Sequence, residues 1–323
     1  MKLPAPAKLN LSLDILGRRE DGYHELSMVM LSVSLCDGIE LNLTPKPGVL
    51  FSCSDPDVPG GEKNTACRAA ALFLERAGLA ETTGVRIFLE KRIPSQAGMG
   101  GGSADAAAVL RGLNELTGFP LPEENLFELG LQVGADVPFC LAGGVKLAQG
   151  VGERLSPAPE LPPCAIVVCK PPVGVSTAEA FRRADERTDG GKDYTGAVLA
   201  ALKTGSLEAV GEALGNDFED VMRLPEVEAI KERLLQAGAV GACMTGSGSA
   251  VFGLFRDAKD AQACAFALLP EWHDTFFVLS RTTFCIKEIF SSHTDSIAAA
   301  DGWNRSSGPF ARAAPNRNGR SFL

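Results

Sequence analysis

Four glycines in five positions, Gly98, Gly100, Gly101 and Gly102, stand in IPSQAGMGGGSADAA, residues 93–107. Glycine bends sharply and lets backbone amides approach a ligand. Ser103 suits an N-cap, and the alanines after it carry a helix away. A glycine loop feeding a helix N-terminus is an anion site, because free N–H groups point outward and the dipole adds about half a positive charge. Phosphate is the anion it suits. A tight strand-to-helix turn would need the same glycines. No GxxxxGK[ST] occurs, and Ser103 takes the place of the third glycine in a dinucleotide fingerprint.

Three further stretches carry polar groups with possible work. Lys8 and Asn10 alternate in PAPAKLNLSLDIL and so emerge on one face of a strand. A lysine there is costly to bury unless it meets an acid or a phosphate. Tyr23 and His24 follow Asp21-Gly22, a turn pair that would present a ring and an imidazole together; loop packing would use them equally. In GADVPF, residues 134–139, Asp136 sits among apolar neighbours and needs a partner, for which Lys8 is suitable. An isolated Asp is also a common helix cap. TGSGS, residues 245–249, is a second glycine turn able to offer hydroxyls and amides.

The elements that must position these groups can be read coarsely. Residues 9–16 alternate as a half-buried strand would, and residues 85–89 and 165–170 read as strands. Asn64 caps a helix closed by Gly78. Helices are expected over 103–116, 176–184, 226–237 and 258–269, with a last strand over 275–279. Such mixing predicts α+β layers. SPAPELPPC, residues 156–164, places four prolines in nine positions, so neither a helix nor a central strand runs through it. It marks a boundary between domains 1–157 and 158–288. From about residue 291 the sequence loses all period and carries +2, leaving −11 before it, and residues 289–323 are expected to be a disordered tail.

Composition narrows the function. The chain has 323 residues, a formal net charge of −9 and 45% hydrophobic residues, enough to build two cores. No apolar run approaches the roughly 20 residues of a membrane span, and the start lacks the apolar region of a signal peptide. Nine cysteines without CxxC, mostly in apolar surroundings, read as reduced thiols of a cytoplasmic protein. Three scattered histidines suggest no metal cluster, and the acidic balance argues against a nucleic-acid surface.

Taken in order, PAKLNLSLDI, PSQAGMGGGSADAA and MTGSGSAVFG resemble the three motifs of the small-molecule kinase superfamily of galactokinase, homoserine kinase, mevalonate kinase and phosphomevalonate kinase. KLNLSLDILGRREDGYHEL and GADVPFCLAGG are similar to the branch acting on 4-diphosphocytidyl-2-C-methyl-D-erythritol in non-mevalonate isoprenoid biosynthesis. The resemblance covers roughly residues 5–287. It implies an N-terminal domain like the second domain of ribosomal protein S5, for ATP binding and catalysis, and a ferredoxin-like substrate-binding domain. It further implies Lys8 and Asp136 as the catalytic pair. Pro94, Ser95, Gln96, Ala97, Gly98, Met99, Gly100, Gly101, Gly102, Ser103 and Ala104 become the ATP loop. Asn10, Tyr23 and His24 would hold the cytidine substrate, Tyr23 by stacking and His24 by bonding the base edge. Gly246 and Ser247 would line the cleft near the methylerythritol end. Thr177 would add a hydroxyl and Phe181 a second ring. Mg²⁺ would accompany ATP with no protein ligand identified beyond a guess at Ser103, and the enzyme would be a monomer or weak homodimer. The nearest rival reading is another member of the same superfamily acting on mevalonate, homoserine or a sugar; a nicotinamide oxidoreductase and a catalytically idle binding module are the others.

Overall fold

A computed structural model describes residues 1–187 and 191–280. The chain begins with a long antiparallel hairpin, β1 (Lys2–Arg18) and β2 (His24–Thr44), followed by β3 (Gly48–Cys53), α1 (Thr65–Arg76) and β4 (Gly84–Glu90). The glycine loop then leads into α2 (Gly101–Leu116), α3 (Glu123–Val133), α4 (Val137–Ala142), β5 (Val145–Gly150) and β6 (Arg154–Pro157). Next come β7 (Ala165–Lys170), α5 (Thr177–Asp185), α6 (Tyr194–Thr204), α7 (Leu207–Ala213), β8 (Gly215–Asn216) and α8 (Asp217–Met222). The described part closes with α9 (Pro225–Gln236), β9 (Gly241–Met244), β10 (Val251–Phe255), α10 (Ala258–Leu268) and β11 (Asp274–Leu279).

Two sheets result. One has the order β3-β4-β2-β1-β8, with β5 pairing β2 and β6. The other is β11-β7-β10-β9, antiparallel throughout. The sheets change over at the proline stretch, since β6 ends at Pro157 and β7 opens the second sheet at Ala165. β8 departs from that order by pairing parallel with β1 at Ser12 and Leu13.

Several local causes are visible. Asn64 accepts the Ala66 and Cys67 N–H groups and so starts α1, as its residue type predicts. β1 is buried on both faces, not half-buried: Asn10, Ser12 and Asp14 are as enclosed as Leu9, Leu11 and Leu13. Its polar row is tolerable only because each member finds partners, Asp14 taking the Tyr194 and Thr195 N–H groups and Ser12 meeting the Thr195 hydroxyl. Register shifts at Pro6/Lys8 and Asn10/Ser12 bend β1 on either side of Lys8, and bulges of this kind re-aim side chains. The expected tail lies outside the described residues.

Candidate active site

The glycine loop begins its helix earlier than Ser103 suggested. Gly100, at φ +67°, is the N-cap of α2, and Ser103 lies inside the first turn. A left-handed cap is natural for glycine, which has no Cβ to clash. The first intrahelical bond runs from Ala104 N–H to Gly100 O (2.9 Å), so the N–H groups of Gly101, Gly102 and Ser103 precede it. Gly98 is required by crowding as well as by φ +72°, because a Cβ there would lie 2.1 Å from the Thr245 carbonyl oxygen.

Lys8 and Asp136 are brought together at the mouth of this loop. Lys8 is buried, and its Nζ donates to Asn10 Oδ1 at 2.7 Å and stands 3.5 Å from Asp136 Oδ2. Asp136 occupies the N-cap position of α4, yet its side chain caps nothing. Its carboxylate is 30% exposed, which leaves it reachable from the cleft. Cys140, a turn further along α4, is no competing nucleophile, since burial pushes its thiol pKa up. Cys67, Cys140, Cys169, Cys243 and Cys264 are buried free thiols.

A cavity of about 370 Å³ opens between these groups. Lys8, Asn10, Gln96, Gly98, Gly100, Ser103 and Asp136 line it, together with Thr177, Phe181, Gly246 and Ser247. The Thr177 and Ser247 hydroxyls are 2.9 Å apart. Pro94, Ser95, Ala97, Met99, Gly101, Gly102 and Ala104 complete the loop, with Ala97, Met99 and Ala104 buried beneath it. A wider hollow of about 630 Å³, lined by paired charges such as Lys192–Asp220 and Lys231–Glu219, contains none of the expected site residues.

The aromatic groups do not form one pocket wall. His24 is buried, its Nε2 meets Asp185 Oδ1 at 2.7 Å, and its ring stacks on Phe181 with centroids 4.3 Å apart. Tyr23 is 65% exposed on the hairpin turn and does not line the cavity. Phe218 completes the aromatic group, edge-on to Phe181 at 4.9 Å.

Sequence reasoning missed several groups. Leu13, Leu26, Met28, Val175 and Phe218 also line the cavity. Thr245 ties the second glycine turn to β1, accepting the Asn10 N–H at 3.0 Å and donating to Asn10 Oδ1 at 3.3 Å. Their signal was ordinary apolar and hydroxyl content, which periodicity assigns to the core. Among the described residues no group of three or more His, Cys, Asp or Glu is arranged to hold a metal ion. For Mg²⁺ carried by phosphates, the oxygens at the cavity include the Ser103 hydroxyl and the Asp136 carboxylate, a fit for an ion that keeps most of its shell as water and phosphate.

The chain matches the GHMP kinases N terminal domain over residues 64–144 and the GHMP kinases C terminal domain over residues 198–274. It is 45% identical over 267 residues to the 4-diphosphocytidyl-2-C-methyl-D-erythritol kinase of Geobacter sp. (strain M21), covering 82% of this chain and 93% of that one. The enzyme of the same description from Caldicellulosiruptor saccharolyticus is 40% identical over 294 residues, 90% of this chain and 99% of the relative. A crystal structure of 4-(cytidine 5'-diphospho)-2C-methyl-D-erythritol kinase superposes with a TM-score of 0.74 at 40% identity, covering 87% of this chain and all of that one. Homoserine kinase from Cytophaga hutchinsonii shares the fold, with a TM-score of 0.68 at 23% identity.

Proposed function

This chain belongs to the GHMP kinases, in the family of the 4-diphosphocytidyl-2-C-methyl-D-erythritol kinases, and we propose that its cavity is where that family's reaction takes place. The chain is an ATP-dependent kinase that phosphorylates the 2-hydroxyl of 4-diphosphocytidyl-2-C-methyl-D-erythritol, giving the 2-phosphate and ADP, in non-mevalonate isoprenoid biosynthesis.

Asp136 accepts the hydroxyl proton as the substrate oxygen attacks the γ-phosphorus. The new O–P bond forms while the bond from γ-phosphorus to the bridging oxygen breaks, and ADP leaves. Lys8 orients Asp136 and offsets charge on the transferring group, a role its enclosed ammonium suits. The Gly101, Gly102 and Ser103 amides and the α2 dipole hold the phosphates. Ser103 and Asp136 are the side chains to which Mg²⁺ on those phosphates would be nearest; the ion neutralises phosphate charge when bound.

Thr177, Gly246 and Ser247 take the polyol end. The cytosine goes to the Phe181–His24 end, with Tyr23 on the neighbouring hairpin turn. The acidic balance and the buried thiols suit a cytoplasmic enzyme with no nucleic-acid partner. The observation that carries the mechanism is a carboxylate that caps no helix, faces a buried lysine, and opens onto the cavity beside a helix N-terminus.

Incubation with Mg²⁺-ATP and the cytidine substrate should release ADP, while mevalonate and homoserine in parallel should not. Turnover of either alternative alcohol would remove the cytosine assignment of Tyr23, His24 and Phe181. Failure with every alcohol while ATP still binds would overturn the catalytic reading.

A further inference from the structure

The segment Gly-Asn-Asp-Phe-Glu, residues 215–219, carries no recognised motif, yet every side chain in it is spent on the cleft or its frame. Asp217 accepts the Ile15 N–H of β1 at 2.8 Å. Phe218 lines the cavity. Glu219 accepts the Met244 N–H at 2.7 Å while its other oxygen pairs with Lys231.

Asn216 does most. It is buried, and its Nδ2 donates to the Met244 carbonyl at 2.8 Å and to the Gly246 carbonyl at 2.9 Å. Its Oδ1 accepts the Phe218 N–H at 2.9 Å, capping α8. The amide orientation is dictated, because two carbonyl oxygens can face only the nitrogen side. The Met244 backbone is thus gripped at its N–H by Glu219 and at its C=O by Asn216.

That grip reaches the reacting groups through Gly246. A Cβ at Gly246 would lie 2.7 Å from the Gly98 oxygen and 3.2 Å from Lys8 Nζ, so the turn presses on the phosphate loop and on the lysine head together. Asn216 itself sits on β8, which pairs with β1 at Ser12 and Leu13, two and three residues beyond Asn10. One side chain therefore references the second glycine turn to the strand that bears Lys8.

We propose that Asn216 is a positioning residue for phosphoryl transfer, holding the Gly246–Ser247 turn at the distance from β1 that keeps Lys8 aligned with Asp136. It does not line the cavity. The proposal rests on the reading of Lys8 and Asp136 as the catalytic pair.

Two full-length variants test it. Asn216→Ser keeps an oxygen able to cap α8 but is too short to reach the turn carbonyls. Asn216→Asp keeps the shape but sets acceptors against acceptors until its carboxyl is protonated. Misplacement by a fraction of an ångström should lower kcat by about tenfold or more in both, with KM for ATP changed far less. The Asp variant should regain part of that loss, relative to wild type, as pH falls toward the range where its carboxyl protonates. A capping role alone would leave the Ser variant at wild-type kcat. Folding of both is checked by circular dichroism and melting temperature. Wild-type turnover with a folded Ser or Asp variant at unchanged kcat, or an Asp variant whose pH profile parallels wild type, overturns this proposal alone. No turnover by the wild-type chain, with ATP bound, overturns the parent reading and this proposal with it.

Discussion

Successive glycines of the phosphate loop lie against two different lysines. A Cβ at Gly100 would meet Lys8 Cγ at 2.9 Å, and one at Gly101 would meet Lys91 Nζ at 2.9 Å. Each lysine faces aspartate and each is largely buried, but the two clusters are finished differently. Asp37 accepts from Lys91, from the Arg92 N–H and from the Ile93 N–H, and its side chain is wholly enclosed. Asp136 has one long contact, to Lys8, and the cavity in front of it. A carboxylate that accepts three hydrogen bonds within the fold holds structure together. One fastened on a single side keeps a lone pair for a substrate proton. The pair of residue types is the same; what separates frame from chemistry is how many of the acceptor's sites the fold has used.

The widest gap between the clusters should appear on truncation. Asp136→Ala is expected to lower turnover by about 10²–10⁴-fold, the range for a lost general base, while nucleotide binding measured by titration persists. Its stability should change by less than about 1 kcal/mol, since the pair is long and partly exposed. Near-normal turnover would show that the open cluster is not the chemical one. Asp37→Ala should do the reverse, costing on the order of 3 kcal/mol in a urea titration because two backbone N–H groups and a buried ammonium lose their acceptor. The folded fraction should still turn over. A stable Asp37 variant without activity would place the sealed cluster in the reaction and erase the distinction.

The sequence made the open cluster legible and hid the sealed one. Glycine spacing is local, so the loop and its helix could be read directly, with the start misplaced because Gly100 adopts a cap geometry that Ser103 would otherwise have supplied. Lys8 and Asp136 drew notice because each is a charged residue in an apolar run. Asp37, Lys91 and Asp105 come from three separate elements, and no spacing rule connects them. Asn216 was invisible for the same reason, its partners lying 28 and 30 positions away. Tyr23 and His24 were expected to act together, yet adjacent residues entering a strand point to opposite sides, and β2 begins at His24. One ring went inward onto Phe181 and the other to solvent.

The smallest effect probes how tightly the sealed cluster is closed. Asp105 is its second acid: Oδ2 lies 3.6 Å from Lys91 Nζ, and Oδ1 is buried without a hydrogen bond. Burial pushes the Asp105 carboxyl well above the usual carboxylate range; Lys91 opposes the shift and neighbouring Asp37 adds to it. With the folded pKa above the unfolded one, the unfolded chain releases this proton first as pH rises. Stability tied to Asp105 is therefore complete below the ordinary carboxylate range and lost as pH climbs through the raised folded value. Asp105→Asn cannot ionise and should lack that slope. The stability of the Asn variant relative to wild type, read from urea midpoints, should increase with pH from the acidic side toward neutrality. A difference that stays constant with pH would mean that Asp105 ionises as freely as an exposed acid. Water would then reach the second cluster as it reaches the first, and the number of occupied acceptor sites would no longer distinguish them.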